Sequence, residues 1–310
     1  MKNVTYLFYG FGSEYVLHPL YLELKKRGYD CCEIDALNIK NSKKFINNLI
    51  NKDIILITSA QLLLDLKNYK DFYPTTNKFY SILEIISLLK PKKSILIPHD
   101  LTEPLITHEN FYLNQFDLFL SPCEPFTSIY SAFCKTEEVG WIKYFRNNNE
   151  KIKQSKNKAI WFISDFILHI KMGKKTSLET VLPILKQGVS VKFPYWDKSD
   201  EFEEYYAKNG ISIYSAKTSS IELIKKHDVV LTNGLSSIIA ESYFMGKTTL
   251  NVTEGSHYGN MRSCLEELFP NLIFIESINQ FKLNDISVKK QPNILQPFNM
   301  EKTLKLITQS

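Results

Sequence analysis

Short unbroken runs of aliphatic and aromatic residues recur along this chain, separated by polar or glycine-containing segments and by stretches whose apolar residues fall three or four apart. A run without alternation marks a strand buried on both faces, and the wider spacing marks a helix with one buried face. In the first half this predicts strands at 4–9 (VTYLFY), 30–34, 53–58 (DIILIT), 93–98 (KSILIP), 117–121 (DLFLS) and 138–141. Helices are predicted at 14–27, near 41–51 and within 60–90. In the second half, strands at 159–164 (AIWFIS), 189–193, 211–214, 228–232, 248–252 and 272–275 alternate with helices at 177–187, 201–208, 220–226 and 236–246. Gly28, Gly188, Gly210 and Gly246 stand where helices should stop. Strands alternating with helices at this spacing imply parallel sheets joined by right-handed crossovers.

One segment breaks the pattern. Residues 143–158, KYFRNNNEKIKQSKNK, are polar, rich in Asn and Lys, and almost free of aliphatics. They are the expected junction of two domains, an N-terminal one over 1–145 and a C-terminal one over 159–310, with the linker at about 146–158. A length of 310 residues suits two domains of about 150. With 44% apolar and 23% charged residues, the chain can bury two ordinary cores. The net charge of +5 is not gathered in one basic block, so it suits anionic nucleotides or a membrane surface and argues against nucleic acid.

The cysteines, Cys31, Cys32, Cys123, Cys134 and Cys264, are odd in number and lack CxxC spacing, so neither a disulfide framework nor a zinc site is expected. That usage favours a reducing compartment. The first residues read as a strand, not a signal peptide, and no apolar stretch reaches membrane-spanning length. A cytoplasmic protein is the expectation.

Open α/β sheets bind ligands beyond the carboxyl ends of their strands, and the polar clusters of this sequence follow predicted strands. In the first half these are Gly10, Gly12 and Ser13, then Thr58-Ser59, His99-Asp100 and Ser121. In the second half they are Ser164-Asp165, Lys192 with its successors, Asn233 to Ser237, and Glu254 to His257. The first glycine loop is not GxGxxG, so it is a weak sign of a dinucleotide. The stretch beginning at residue 228, DVVLTNGLSSIIAESYFMGK, carries more. A strand enters a helix through Asn233, Gly234, Ser236 and Ser237, which sets free N–H groups and two hydroxyls at the positive end of a helix, an arrangement that suits a phosphate. Glu241, one turn deeper, could accept hydrogen bonds from sugar hydroxyls. The same residues also make an ordinary helix cap and turn.

This block, with TTLNV after it, resembles the GT-B glycosyltransferase superfamily, nearest the branch of glycerophosphate and polysaccharide transferases of bacterial surface polymers. The UDP-N-acetylglucosamine 2-epimerases share that fold. The resemblance spans almost the whole chain in architecture and about 25 residues in motif. It implies two Rossmann-like domains facing across a cleft, an acceptor domain followed by a nucleotide-donor domain, and a nucleotide-sugar or nucleotide-glycerol donor used as substrate with no further cofactor. A glycan or lipid-linked acceptor is the implied partner, with contact at the inner face of a membrane left open. Three departures stand out. The group's histidine after the second strand of the C-terminal domain is absent at Phe193-Pro194, its His-Gly is here His99-Asp100, and its Gly-Lys-Pro is Gly246-Lys247-Thr248.

Such a transferase needs a base for the acceptor hydroxyl and positive or N–H groups for the departing phosphate. His99 has a suitable intrinsic pKa, with Asp100 to orient it or act in its place; His99 could equally hold substrate without moving a proton. His18 is an alternative base or a plain helix-surface histidine, and His108-Glu109 a looser candidate. Lys192 and His257 could neutralise phosphate charge. No Asp-x-Asp occurs, so metal-independent transfer is expected. A sugar-nucleotide epimerase or hydrolase on the same fold, or a nucleotide-binding module without chemistry, remains the competing reading.

Overall fold

The computed structural model of the chain describes residues 4–10, 16–35, 52–58, 91–101, 110–145, 158–163, 174–194, 200–233, 236–253, 261–287 and 291–309. The chain divides into two compact units: Met1–His99, Thr107–Arg146 and Gln296–Ser310 form the first, Asp100–Ile106 and Asn147–Leu295 the second.

Among the described residues, the first unit holds a six-stranded, all-parallel sheet of β1 (Thr5–Gly10), β2 (Asp30–Asp35), β3 (Ile54–Ile57), β4 (Lys93–Leu96), β5 (Leu118–Ser121) and β6 (Thr136–Glu138), in the order β2-β1-β3-β4-β5-β6. Every residue of β3 and β5 is buried, which is why these strands read as apolar runs without alternation. Two aspartates pin the amino edge. Asp53 Oδ2 accepts from the Thr5 N–H at 3.0 Å and the Thr5 hydroxyl at 3.2 Å. Asp117 Oδ2 accepts from the Ser94 N–H at 2.7 Å and the Ser94 hydroxyl at 2.9 Å. Each sits one residue before a strand and accepts an N–H from the start of the neighbouring strand, that of Thr5, first in β1, and that of Ser94, second in β4.

Helix α1 (Leu17–Lys26) buries Leu17, Leu20 and Leu24, one apolar stripe at helical spacing. It ends at Gly28, φ +83°, where the Gly28 N–H donates to Lys25 O and the Tyr29 N–H reaches back to Leu24 O. A short α2 (Glu124–Tyr130) links β5 to β6. The unit is completed by α8 (Met300–Thr308), capped by Asn299, whose side chain accepts from the Lys302 N–H at 2.9 Å; it buries Thr303, Leu304 and Ile307.

The second unit repeats the architecture. Its strands are β7 (Ala159–Phe162), β8 (Val189–Lys192), β9 (Ile213–Tyr214), β10 (Val229–Asn233), β11 (Thr248–Val252) and β12 (Ile273–Ile275), all parallel, in the order β12-β11-β10-β7-β8-β9. The helices are α3 (Lys174–Leu185), α4 (Asp200–Lys208), α5 (Ser220–Lys226), α6 (Ser237–Phe244) and α7 (Met261–Leu268). Trp161, Val191, Phe193, Tyr206, Leu231 and Leu250 belong to one buried cluster. Each such side chain taken out of water stabilises the unit by about 1.5–3 kcal/mol before chain entropy is set against it.

The expected C-terminal domain, 159–310, ran too far: Gln296–Ser310 belongs with the first unit. Inside that unit the Trp141 N–H donates to Gln296 O at 2.9 Å and the Asn299 N–H to Val139 O at 2.7 Å, so backbone pairing holds the returning segment. The helices α2, α7 and α8 were not foreseen, and the short strand expected at 138–141 lies earlier, at Thr136–Glu138. The helices expected near 41–51 and within 60–90, and all but the last residue of the 146–158 linker, lie outside the described residues.

Candidate functional site

Strand order locates the positions where a ligand can approach each sheet. In the second unit the chain moves outward from β7 to β8 and β9, then returns to β10 on the other side of β7. The carboxyl ends of β7 and β10 therefore diverge into connections on opposite faces, the crevice that open α/β sheets use for binding. β10 ends at Asn233. This residue is 2% exposed, and its Oδ1 accepts from the indole N–H of Trp161, on β7, at 3.2 Å.

Ser236 then caps α6: its hydroxyl oxygen accepts from the Ile238 N–H at 3.3 Å, and its carbonyl from the Ile239 N–H at 3.0 Å. Ser237 turns down the helix and donates to Glu241 Oε1 at 2.9 Å. All eight residues of α6 are buried, and Glu241 has no exposed surface. Sequence placed Ser237 and Glu241 as separate ligand contacts; the structure joins them to each other inside the helix. Ser242 extends this polar interior, donating to Ile238 O at 2.6 Å and meeting the Thr249 hydroxyl of β11 at 3.0 Å.

Lys192 ends β8, beside β7. It is buried, 6% exposed, with its ammonium donating to Phe193 O at 3.3 Å. Its Nζ therefore stands at the carboxyl rim of the sheet, among groups withdrawn from water. Gly234 and His257 lie outside the described residues.

In the first unit the reversal falls between β1 and β3. Gly10 ends β1, in register with Asp35 of β2; Gly12 and Ser13 lie outside the described residues. Just past β4, the His99 N–H donates to Thr58 O at 3.3 Å and its Nδ1 stands 3.3 Å from the same oxygen. Asp100 is half-buried and falls on the other side of the division between units. Ser121 is engaged locally, donating to Cys123 O and accepting from the Thr127 hydroxyl, both at 2.9 Å. His108 and Glu109 lie outside the described residues.

Sequence reasoning missed one pairing. His18, in the first turn of α1, places Nδ1 2.7 Å from Oε2 of Glu33 on β2, and its ring stacks on Tyr21 with centroids 5.7 Å apart. The imidazole is 43% exposed; the other Glu33 oxygen, Oε1, is buried with no hydrogen-bond partner among the described residues. A half-open imidazole backed by a carboxylate is an arrangement that can take up a proton, because the carboxylate stabilises the imidazolium that forms. The sequence signal was a glutamate inside a strand pattern, but only strand register shows which histidine it meets.

Cys31 and Cys123 are not poised as nucleophiles. Burial pushes the Cys31 thiol up to about 11 and the Cys123 thiol up to about 12, far from thiolate formation at neutral pH. Among the described residues no group of three or more His, Cys, Asp or Glu side chains is gathered to hold a metal ion, and no helix is long and apolar enough to cross a membrane.

The chain matches no protein-family profile and no curated protein sequence. Its structure does have counterparts. The spinosyn forosaminyltransferase SpnP is similar with a TM-score of 0.52 at 9% identity, over 92% of this chain and 88% of that one. The glycosyltransferase SnogD from Streptomyces nogalater gives a TM-score of 0.50 at 10% identity, over 90% and 88%. Likeness at such low identity is likeness of fold. The chain has the GT-B glycosyltransferase fold, an α/β architecture of two parallel sheets with their helices.

Proposed function

We propose that this protein is a glycosyltransferase that moves a sugar, or glycerophosphate, from a nucleotide-activated donor to a hydroxyl acceptor. The observation that carries the reading is the crevice of the second sheet, where β10 runs through the buried Asn233 into the capped start of α6, with Lys192 at the end of β8, two strands over. Backbone N–H groups at a helix start and a buried ammonium form an electrostatic site for a leaving diphosphate. Asn233 and Ser236 stand at this rim, with the Ser237–Glu241 pair one turn below it, and Gly234 and His257, which come after β10 and β11 in the sequence, are proposed as further donor contacts. Positive charge and N–H groups then do the work of a metal, and a chelator should leave the rate unchanged.

The acceptor hydroxyl must lose a proton as it attacks. His18, backed by Glu33, is the base in this proposal, and His99, with Asp100 beside it in sequence, the second candidate. The choice follows from the carboxylate at 2.7 Å, which can stabilise an imidazolium as it forms. Gly10, Gly12 and Ser13 mark where acceptor oxygens would approach the first sheet. The resemblance of the DVVLTNGLSSIIAESYFMGK block supports a bacterial surface-polysaccharide setting, with a glycan or lipid-linked acceptor met in the cytoplasm.

Incubation with a panel of sugar nucleotides, with and without oligosaccharide and lipid-linked acceptors, tests the reading. Nucleotide release that requires acceptor is the expected result. Isomerised or hydrolysed sugar nucleotide without acceptor would make the protein an epimerase or hydrolase, and binding without turnover would leave a nucleotide-binding module.

A further inference from the structure

We infer that the first unit carries a second binding site, apart from the His18–Glu33 pair, for a phosphate monoester, borne either by a soluble metabolite or by a lipid headgroup. The observation is a cavity of about 690 Å³ between the C-terminal end of α1 and α8, a size that suits a small organic ligand. Arg27, Lys302 and Lys305 line it against one acid, Glu301, so its walls carry three positive charges and one negative. The chain as a whole is nearly balanced, with 38 basic and 33 acidic residues, so this excess is a local property. His18 stands nine residues before Arg27, roughly 14 Å along the axis of α1. The cavity is therefore distinct from the place proposed for proton transfer.

Each cation keeps donors that a ligand can reach. Lys302 and Lys305 are three apart on α8, so they share a face with Cβ atoms about 5–6 Å apart, a spacing that brackets one phosphate. Lys302 is anchored at the wall, its Nζ donating to Glu138 O at 2.7 Å with Glu137 Oε2 3.5 Å away, yet its side chain is 42% exposed. Lys305 is exposed and makes no ion pair among the described residues. Arg27, 37% exposed, donates through Nε to Glu23 at 3.2 Å and through one terminal nitrogen to Glu301, which uses two of its five N–H bonds. Asn299, also exposed, gives its oxygen to the cap of α8 and so keeps its NH2 group as a further donor.

Glu301 is the competitor. Its side chain is 76% exposed, so the pair with Arg27 is screened by water and opens at little cost. A phosphate monoester carries close to two charges at neutral pH and three acceptor oxygens, and the planar guanidinium matches two of them at once. It displaces the glutamate where a singly charged carboxylate would gain nothing. The bound group then joins the end of α1 to α8, so binding and the docking of the returning 296–309 segment are linked.

Calorimetry with glycerol 3-phosphate, and flotation with phosphatidylcholine vesicles containing phosphatidic acid, test the site on the whole chain. Both present a monoester, and the one that binds names the source. The expected result is saturable binding that weakens as salt is added. Arg27→Ala and Lys305→Ala should each weaken it by roughly two- to fivefold, and the double variant by roughly the product. Glu301→Gln should tighten it by roughly two- to fivefold, because the competing charge is gone. Hydrogen exchange gives a readout independent of any transferase activity: bound monoester should slow exchange across 300–308 in the wild type and leave it unchanged in the double variant. The inference is overturned if neither ligand binds, or if Glu301→Gln fails to tighten binding. Binding that persists undiminished in the double variant would place the phosphate elsewhere in the chain and overturn it equally.

Discussion

Glu33→Gln is the substitution that most sharply probes how the N-terminal unit moves a proton. Glutamine keeps the shape of the side chain and an oxygen for the His18 Nδ1–H at 2.7 Å, but removes the negative charge. A hydrogen bond to a charged partner contributes about 1.5–3 kcal/mol and one between neutral groups about 0.5–1.5 kcal/mol, so the difference lies near 1 kcal/mol. His18 is 43% exposed, and solvent screening holds the effect to the low end of that range. The imidazolium formed as the acceptor loses its proton should therefore be less stable by a factor of roughly two to five. Turnover under saturating donor should fall several-fold, with donor affinity unaltered. His18→Ala should cost roughly 10²–10⁴-fold, the usual contribution of a general base. Acceptor-dependent nucleotide release is the assay, with donor affinity measured by calorimetry as a second readout. Unchanged turnover in Glu33→Gln together with an active His18→Ala enzyme would refute the reasoning. A comparable loss in His99→Ala alone would then transfer the role to His99.

Three further outcomes follow from the packing. Ser236→Ala should lose about 1 kcal/mol of stability through the helix cap, while Ser237→Ala, which strips a bond to the buried Glu241, should lose about 1.5–3 kcal/mol in urea unfolding; equal losses would deny the difference in their roles. Gly140→Ala should destabilise the first unit by about 3 kcal/mol or more: φ is +82°, a left-handed conformation costing an alanine about 1–2 kcal/mol, and a Cβ there would lie 2.2 Å from Pro297 O and 2.7 Å from its carbonyl carbon. Hydrogen exchange should then rise first across 296–309, and unchanged protection there would refute the assignment of that segment. His227 has no exposed surface and its Nδ1–H donates to Leu223 O at 2.7 Å, while burial, with Lys247 and Lys226 adding to it, holds the ring below the ordinary histidine range. The unfolded chain takes up this proton first, so the contribution is full above about pH 6.5 and is lost as pH falls below it; a His227→Gln variant with the same pH dependence of urea midpoint as the wild type would count against it.

The strands were legible because parallel sheets covered on both faces leave local, unambiguous apolar runs, and the helix stops were legible because Gly28, Gly188, Gly210 and Gly246 all take positive φ. Short amphipathic helices were not. α2 buries Phe126 and Tyr130, one turn apart, too brief a pattern to separate from a loop. α8 did carry its marks: Asn299 as cap, then Met300, Leu304 and Ile307 at spacings of four and three. Its place in the first unit could not be read, because the backbone bonds that hold it there, from Trp141 to Gln296 and from Asn299 to Val139, join positions more than 150 residues apart.

The candidate site divides along the same line. Polar residues after strands could be named from the sequence, since a strand's carboxyl end is a local property. Which of them share a crevice could not, because that depends on strand order, and the order reverses at β10. The two pairings with the most chemical content are both non-local, Trp161 with Asn233 across 72 residues and His18 with Glu33 across 15. Trp161 and Asn233 sit on neighbouring strands, so a shift of strand register by one residue would turn them to opposite faces, and His18 meets Glu33 only where α1 packs beside β2. Ser237 and Glu241 are the contrary case. Four apart on a helix, they could have been paired from spacing alone. What spacing could not supply was the burial of the whole helix, which turns a possible surface contact into an internal one and makes the N-terminal edge of α6, not its side, the part of that helix able to meet a ligand.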